Sequence, residues 1–206
     1  MSSFRQLMMR NKGGGVEFKT SIYATDNAYI QTDFNLNNVA KIRISGILQN
    51  YNYSTTNNMR YVGFGSWKYD MGKATGTVFS IVYNFNYSSS TYYAYLGAWN
   101  GGYNYSDSVN QLLSSYQDTS KKSFDLTFNN IVQNPDNTNI TIFCVIGSGG
   151  YLNNICAFSL IQLFDSSDNL LHELKPAIVN GESGMYDTVT KTFYGNANSV
   201  GSLVCG

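Results

Sequence analysis

The chain has 206 residues, with 13 basic and 13 acidic side chains and a formal net charge of zero. A neutral chain without a basic patch is unsuited to nucleic acid, because that binding depends on neutralising phosphates. Hydrophobic residues make up 43% and aromatic residues 15%, enough to bury a core, so the composition excludes a disordered chain. No apolar run approaches roughly 18 residues, which argues against membrane insertion. We expect one globular domain with a short appendage.

The N-terminal segment predicts an anchor peptide. Residues 3–10 have apolar side chains at positions i, i+3 and i+4, the spacing of a helix face. Two helical turns are too short to be stable alone in water, and Gly13–Gly15 predicts a flexible joint behind them. We therefore expect a helical or extended anchor with its Gly linker at 1–15 and a folded domain at 16–206, a disordered tail being the alternative. The side chains predicted to dock on a partner are Phe4, Leu7 and Met8.

From residue 16 onward the hydrophobic period is two residues, which indicates strands. Residues 41–45 and 123–128 alternate cleanly, as strands do in antiparallel sheets with one face on the core. The other predicted strands are 16–23, 60–66, 77–85, 91–99, 139–146 and 155–164. Turn-forming clusters separate these runs, and only 108–116 has the pattern of a short helix. The sequence therefore predicts an all-β, antiparallel two-sheet sandwich, and a jelly roll fits the length best.

Few residues offer catalytic or metal-binding chemistry. His172 is the only histidine, and in an alternating strand we interpret it as an ordinary surface or edge residue. The run Asp165–Asn169 has oxygen ligands for calcium, but it lacks the Gly and closing Glu of an EF-hand loop, so a β-turn is favoured. The cysteines, at 144, 156 and 205, have no metal-ligand spacing and predict buried thiols. We expect no enzyme activity, no cofactor and no metal.

Aromatic residues beside polar turns are the strongest candidates for binding. Rigid rings next to adaptable polar groups can stack on sugar faces or fill protein interfaces. The candidates are Trp67, Tyr69, Trp99, Tyr103 and Tyr105. Plain packing against the sheet is the alternative for the same side chains. The sequence leaves glycan contact, protein contact and packing open.

The C-terminal quarter carries motifs that resemble a known family. The matching segments are Ile155–Asp165, Asn169–Ala177, the Gly184-Met185-Tyr186-Asp187 run, Phe193–Ala197 and, near the start of the domain, Ala28–Phe34. Together they resemble concanavalin A/laminin-G-like jelly-roll domains of structural proteins from phages that infect gut bacteria. In physical terms we expect Gly184 to permit an unusual turn. The four aromatic and Met side chains of the closing motif (Met185, Tyr186, Phe193 and Tyr194) are expected to plug one end of the sandwich.

The resemblance implies a non-enzymatic virion protein: a head fibre, a capsid decoration or a tail component. It implies capsid, portal or tail subunits as partners, a homo-oligomer, and host-surface glycans as a further contact. Synthesis in the bacterial cytoplasm agrees with an N-terminus that lacks the apolar stretch of a secretory signal. The motifs are structural, so they imply no catalytic residue. A free carbohydrate-binding module or adhesin is the alternative function.

Overall fold

A computed structural model of the chain describes residues 8–10, 15–48, 58–70, 73–88, 91–100, 105–113, 122–131, 138–145, 150–151 and 156–206. Side chains are described at 15–47, 123–131, 138–143 and 156–206. Within these ranges all regular structure is strand, and all strand pairs are antiparallel. The predicted all-β antiparallel class is confirmed for this part of the chain. No helix in it is long and apolar enough to cross a membrane.

The strands are numbered here in chain order. They are β1 (Met8–Arg10), β2 (Val16–Phe18), β3 (Ile22–Ala24), β4 (Ile30–Gln31), β5 (Lys41–Leu48), β6 (Asn58–Asp70), β7 (Lys73–Ser88), β8 (Thr91–Asn100), β9 (Tyr105–Leu113), β10 (Lys122–Asn129), β11 (Thr141–Ile142), β12 (Cys144–Val145), β13 (Gly150–Tyr151), β14 (Cys156–Phe164), β15 (Leu170–Val179), β16 (Glu182–Asp187), β17 (Thr192–Tyr194) and β18 (Leu203–Cys205). They form a ten-stranded, a six-stranded and a two-stranded sheet. Valine, isoleucine and aromatic residues suit the half-buried pleated surface of such strands.

The ten-stranded sheet runs β1-β17-β16-β15-β14 and continues through β5 to β10. Strands β14 and β15 pair only where Ile161–Phe164 lies against Leu170–Leu174. Beyond that stretch, β3 pairs with β14 at Phe158, and β2 pairs with β15 along Ala177–Val179. Strand β18 pairs with β3. The first and last strands of the 16–206 region therefore lie where β14 and β15 separate.

The six-stranded sheet runs β4-β11-β6-β7-β8-β9, and the two-stranded sheet pairs β12 with β13. One hydrophobic core contains fully buried side chains from both larger sheets. Ile22 and Phe158 come from the ten-stranded sheet, and Ile30 and Ile142 come from the six-stranded sheet. Burial of apolar surface between these layers is the main force holding them together. The arrangement is consistent with the predicted two-sheet sandwich.

Three predictions of local structure are wrong. Of the helical or extended anchor predicted at 1–15, the helical form is wrong at Met8–Arg10, which is the extended strand β1, because the free edge of β17 supplies its backbone partners. The short helix predicted at 108–116 is contradicted at residues 108–113, which belong to β9 and pair antiparallel with β8. The strand predicted at 139–146 is interrupted at Phe143, whose φ of 67° is incompatible with a strand.

The closing motif differs in detail from its prediction. Gly184 lies inside β16 rather than in a turn, while the turn between β15 and β16 uses Asn180 and Gly181, both with positive φ as a tight hairpin requires. Met185 and Tyr194 belong to the main core. The remaining two aromatic residues, Tyr186 and Phe193, form a second small cluster with Ala177 and Val179. The four side chains of the motif are therefore divided between two hydrophobic clusters and do not form a single plug at one end of the sandwich.

Candidate functional site

Polar side chains meet at one end of the core and form the candidate site. We call this group the closure cluster; its members are Asp33, Phe34, His172, Asp187 and Tyr194. Strand register explains why three of them face the core. His172 pairs with buried Leu163, Asp187 pairs with buried Leu174, and Tyr194 pairs with buried Met185. Directly paired residues share a face of a sheet, so these polar groups lie on the core side.

Asp187 is the centre of the cluster, and its residue is fully buried. Its carboxylate lies 2.7 Å from Nδ1 of His172, and it accepts hydrogen bonds from the Thr190 hydroxyl (2.8 Å), the Val189 amide (2.9 Å) and the Glu173 amide (3.2 Å). Burial alone would raise the pKa of Asp187, but these hydrogen bonds, led by that of His172, hold it below its usual value. The carboxylate therefore organises the turn between β16 and β17.

Phe34 contacts both hydrogen-bonded pairs of the closure cluster, the pair of His172 with Asp187 and the pair of Tyr194 with Asp33. Its ring stacks on the His172 ring with centroids 3.8 Å apart and planes 14° apart, and it meets the Tyr194 ring edge-on at 5.9 Å. The Tyr194 hydroxyl donates a hydrogen bond to the Asp33 carboxylate. Burial raises the pKa of Tyr194, and the Asp33 carboxylate raises it further. The cluster thus attaches the segment around Phe34 to the C-terminal strands.

The segment that carries Phe34 is fixed from its other side by the six-stranded sheet. The buried hydroxyl of Thr32 donates to the Ile140 carbonyl at 2.9 Å, and the Ile140 amide donates to the Phe34 carbonyl at 2.9 Å. Ile140 precedes β11 directly. The closure cluster therefore links the two larger sheets at one end of the shared core.

Glu173 stands next to the cluster with its side chain on the opposite face of the sheet. Its carboxylate accepts from Lys175 (2.7 Å), from Gln162 on the neighbouring strand (2.7 Å) and from the Thr188 hydroxyl (2.8 Å). The Lys175 hydrogen bond makes the largest contribution, and despite the opposing effect of burial the pKa of Glu173 is lowered. This carboxylate joins β14, β15 and the turn after β16.

The interpretation of His172 as an ordinary surface or edge residue is wrong. Its side chain is only 18% exposed, it contacts the buried Asp187 carboxylate, and Phe34 covers one face of its ring. A carboxylate on Nδ1 orients the imidazole of catalytic histidines in the same way. Here the same carboxylate also holds the turn formed by residues 187–191. These contacts join the His172–Asp187 pair to the turn between β16 and β17 and to Phe34.

The turn predicted at Asp165–Asn169 is confirmed. The Asp165 carboxylate accepts from the Ser167 amide (2.8 Å) and the Asn169 amide (2.9 Å), and the side chain of Asn169 adds a third bond (2.9 Å). Asp168 has a φ of 62° and pairs with Lys41 at 2.5 Å. Among the described residues, no three His, Cys, Asp or Glu side chains are grouped so that they could hold a metal ion.

The predicted cysteine environment is confirmed at Cys156, which is a buried free thiol. Burial raises its pKa well above the usual value, so the thiol stays protonated and unreactive. Cys205 is half-buried, and burial also raises its pKa. The side chain of Cys144 lies outside the described residues.

The aromatic binding candidates lie on the six-stranded sheet where the structure describes them. Trp67 and Tyr69 are in β6, Trp99 is in β8, and Tyr105 is in β9. Trp99 is the direct register partner of Tyr105. Tyr103 lies outside the described residues. Contact of these five side chains with a glycan or a protein stays a prediction.

The anchor candidates are described only at their last member. Phe4 and Leu7 lie outside the described residues. Met8 is the first residue of β1 and takes the register position opposite Tyr194. Because Tyr194 itself lies opposite Met185, the backbone of Met8 belongs to a row of core-facing positions.

Sequence reasoning did not find Asp187, Asp33 or Phe34 as members of a site. For Asp187 a signal exists, since an Asp between two strands often accepts a hydrogen bond from the backbone amide two residues on, here that of Val189, in an Asx-turn. No local sequence pattern around Phe34 indicates that its ring stacks on His172, which is 138 residues away in sequence.

No protein-family model, curated protein or solved structure matches this chain. The resemblance to jelly-roll phage proteins therefore rests on the motifs of the sequence alone.

Replacing Tyr194 with Phe is expected to flatten the alkaline decline in stability. The pKa of Tyr194 is raised in the folded state, so its contribution is fully present below the unfolded value near 10 and is lost as pH rises above it. Above about pH 10 the parent should therefore lose stability more steeply than Tyr194→Phe, by at most about 1.4 kcal/mol per pH unit. Urea unfolding at stepped pH measures this difference. Equal slopes would show that Tyr194 ionises freely in the fold.

Proposed function

We propose that the protein is a non-enzymatic structural component of a phage virion, built as a jelly roll and attached through its N-terminal segment. The motif resemblance and the antiparallel all-β fold support this function. The observation that carries the attachment is β1, an extended strand at the edge of the ten-stranded sheet. Edge strands offer unpaired backbone groups to a further chain. Capsid, portal or tail subunits are the proposed partners.

The engagement of the carboxylates supports a structural role. Asp187 and Glu173 each accept bonds from at least three groups of their own chain, and Asp165 caps its turn. General acid–base catalysis needs a carboxyl group that can reach a substrate proton. Groups bonded in this way instead make the domain resistant to opening, which suits a protein exposed on a particle.

Incorporation into particles tests the attachment. The triple variant Phe4→Ser, Leu7→Ser and Met8→Ser should lose incorporation, because docking of apolar side chains is removed. Met8 takes a core-facing register position opposite Tyr194, so the variant Phe4→Ser with Leu7→Ser, which keeps Met8, is the one expected to lose incorporation at an unchanged melting temperature. Occupancy is measured by quantitative gel analysis of purified particles. Val200→Ser, at an exposed apolar position in the folded domain (52% exposed), is the control and should incorporate normally. Normal occupancy of the triple variant would refute the attachment.

A carbohydrate-binding module or adhesin is the second candidate, and the register position of Trp99 opposite Tyr105 favours it. Two neighbouring aromatic positions on one ladder are suited to stacking on a sugar. Trp99→Ala should weaken binding to the best ligand of a host-glycan array about tenfold, or about 1.4 kcal/mol. Phe18→Ala, an exposed aromatic residue of the other sheet (52% exposed), is the control and should bind as the parent does. Absence of parent binding across the array would reject this candidate.

A further inference from the structure

Two short strands identify the face of the six-stranded sheet that is turned away from the main core. Ile142 of β11 and its register partner Ile30 of β4 are both fully buried members of that core. Thr141 precedes Ile142 in β11, and successive residues of a strand lie on opposite faces of the sheet. The row of register partners that passes through Thr141 therefore lies on the face opposite the main core, which we call the outer face.

The row through Thr141 crosses the sheet from β11 to β9. Thr141 pairs with Gly65, Gly65 with Ser80, Ser80 with Trp99, and Trp99 with Tyr105. Because direct register partners share a face of a sheet, Trp99 and Tyr105 are both placed on the outer face. Two of the five aromatic binding candidates therefore occupy neighbouring positions on this face.

The outer face can be followed along β7, β8 and β9 from this row. Strands β7 and β8 pair continuously, so every second residue from Ser80 and from Trp99 stays on the outer face. The pairing of β9 with β8 is irregular beyond Ala98, and it resumes so that Asn110 lies opposite Tyr95. The outer-face positions are Ser80, Val82, Asn84 and Asn86 in β7, Tyr93, Tyr95, Gly97 and Trp99 in β8, and Tyr105, Asn110 and Leu112 in β9. Aromatic and carboxamide residues predominate at these positions, and none of them is charged.

The alternate positions of the same strands have a different composition. In the central parts of β7 and β8 they are Phe79, Ile81, Tyr83 and Phe85, and Ala94, Leu96 and Ala98. These residues are predominantly apolar, as expected for the face of an antiparallel sheet that covers a core. The sequence pattern therefore agrees with the strand register on which face is the outer one.

Tyr95 lies between two asparagines on the outer face. Its register partners are Asn84 on β7 and Asn110 on β9. Neighbouring strands are about 4.8 Å apart, so the three positions lie within about 10 Å of one another across the sheet. A carboxamide both donates and accepts hydrogen bonds, as sugar hydroxyls require. An aromatic ring offers the apolar surface on which a sugar ring stacks.

We propose that the outer face binds a neutral oligosaccharide, with Tyr95, Asn84 and Asn110 at its centre, and that the site extends along β8 to Trp99. Cationic side chains recognise acidic glycans and nucleic acids through carboxylate and phosphate groups. The outer-face positions include no Lys or Arg, so the ligand class that matches them is uncharged. Gly97 separates Tyr95 from Trp99 on this face and leaves the position between the two aromatic residues without a side chain.

The site rests on the glycan contact of the second candidate function, for which it names the ligand class and the central residues. It does not depend on the virion, because the binding is measured on the purified chain. Failure of the particle test would therefore contradict the attachment and leave this site in place.

Calorimetric titration with neutral oligosaccharides derived from glucan, mannan, galactan and xylan tests the site. Tyr95→Ala should weaken binding of the tightest of these ligands about tenfold, because the stacking ring is removed, whereas Tyr95→Phe keeps the ring and should bind as the parent does. Asn84→Ala and Asn110→Ala should each weaken binding about threefold to tenfold, because each removes hydrogen bonds to the sugar.

Gln111→Ala is the matched control for Asn110→Ala. Gln111 is also a carboxamide residue and is the next residue of β9, but its register partner is Ala94, so it lies on the opposite face. This variant should bind the oligosaccharide as the parent does, with circular dichroism verifying that both variants are folded. Equal losses of affinity in the two folded variants would contradict the assignment of the outer face.

The same titrations separate failure of this site from failure of the second candidate function. Loss of binding in Trp99→Ala, with unchanged affinity in the variants of Tyr95, Asn84 and Asn110, would refute only the proposed centre. Binding of acidic oligosaccharides alone would refute only the neutral ligand class. A parent that binds no oligosaccharide would refute both, and loss of its Tyr95→Ala variant from particles would then assign the outer face to a protein partner.

Discussion

Replacing Asp187 with Ala is expected to lower the free energy of unfolding by about 3–5 kcal/mol, the loss typical when one partner of a buried pair is removed. Asp187 is fully buried and bonded to His172, Thr190 and Val189. The variant leaves these donors without the acceptor that they share, and a donor that stays shielded from water, as His172 is at 18% exposure, costs about 1–3 kcal/mol. The turn between β16 and β17 would lose its organising side chain at the same time.

The measurement is urea unfolding of the parent and the variant at neutral pH. Asp125→Ala is the matched control, because Asp125 also forms an ion pair, with Arg43 at 2.6 Å, but both side chains are about half exposed. Exposed pairs contribute at most about 1 kcal/mol, since water and salt screen them. If the two variants lose the same stability, Asp187 does not have the role that the closure cluster gives it.

The decline of the free energy of unfolding at acid pH gives an independent test of the role of Asp187. Its pKa is lowered in the folded state, so its contribution is present above the unfolded value near 4 and is lost as pH falls through the folded pKa. Asp187→Asn cannot ionise and should decline less steeply than the parent below about pH 4. Glu173 and Asp125 also have lowered pKa values, so the informative quantity is the difference between parent and variant.

The strands were predictable where one face of each strand is buried. In residues 41–45 and 123–128 buried and exposed side chains alternate, because β5 and β10 put one face on the core and the other towards solvent. The pattern could not give the pairing, since alternation is the same whichever strand is the neighbour. It also failed at Phe143, where a left-handed backbone conformation divides one apolar run into β11 and β12.

The helix predicted at 3–10 shows a different limit. Spacing of i, i+3 and i+4 indicates only that apolar side chains can share a helical face. A helix of two turns is marginally stable in water even with such a face. At Met8–Arg10 the backbone partners offered by β17 decide the outcome. Those partners are more than 180 residues away in sequence, so no local pattern contains them.

The closure cluster could not be predicted from local sequence patterns, for the same reason. His172 stands in an alternating strand, and its position on the core face follows only from pairing with Leu163 and from the ring of Phe34. The motif that holds Asp187 and Tyr194 was visible, yet Asp187 contacts His172 and Tyr194 contacts Asp33, so the cluster depends on three separate parts of the chain. A polar residue at the end of a core can be identified from its contacts in the fold, but not from its neighbours in the sequence.

Gly184→Ala is expected to cost about 3 kcal/mol, the upper part of the range for inserting one methyl group into a packed site. A Cβ at this position would overlap the carbonyl oxygen of Tyr194 and lie 2.6 Å from the Phe193 ring. The carbonyl belongs to the paired strand β17, so relief requires β16 and β17 to separate. Close approach of two backbones, and not an unusual turn, is therefore the reason for glycine here. The midpoint of thermal or urea unfolding measures the loss.

Gly195→Ala is the matched control, because the obstacle to its Cβ is the Glu182 carboxylate rather than backbone. The end of a flexible side chain can rotate away, so this variant should lose less than about 1 kcal/mol, as ordinary surface substitutions do. Gly46→Ala extends the comparison to β5, where the Cβ would overlap the Ala157 carbonyl and should cost about as much as at Gly184. Similar losses at Gly184 and Gly195 would show that strand separation is easy, and the tight packing of β16 against β17 would then be wrong.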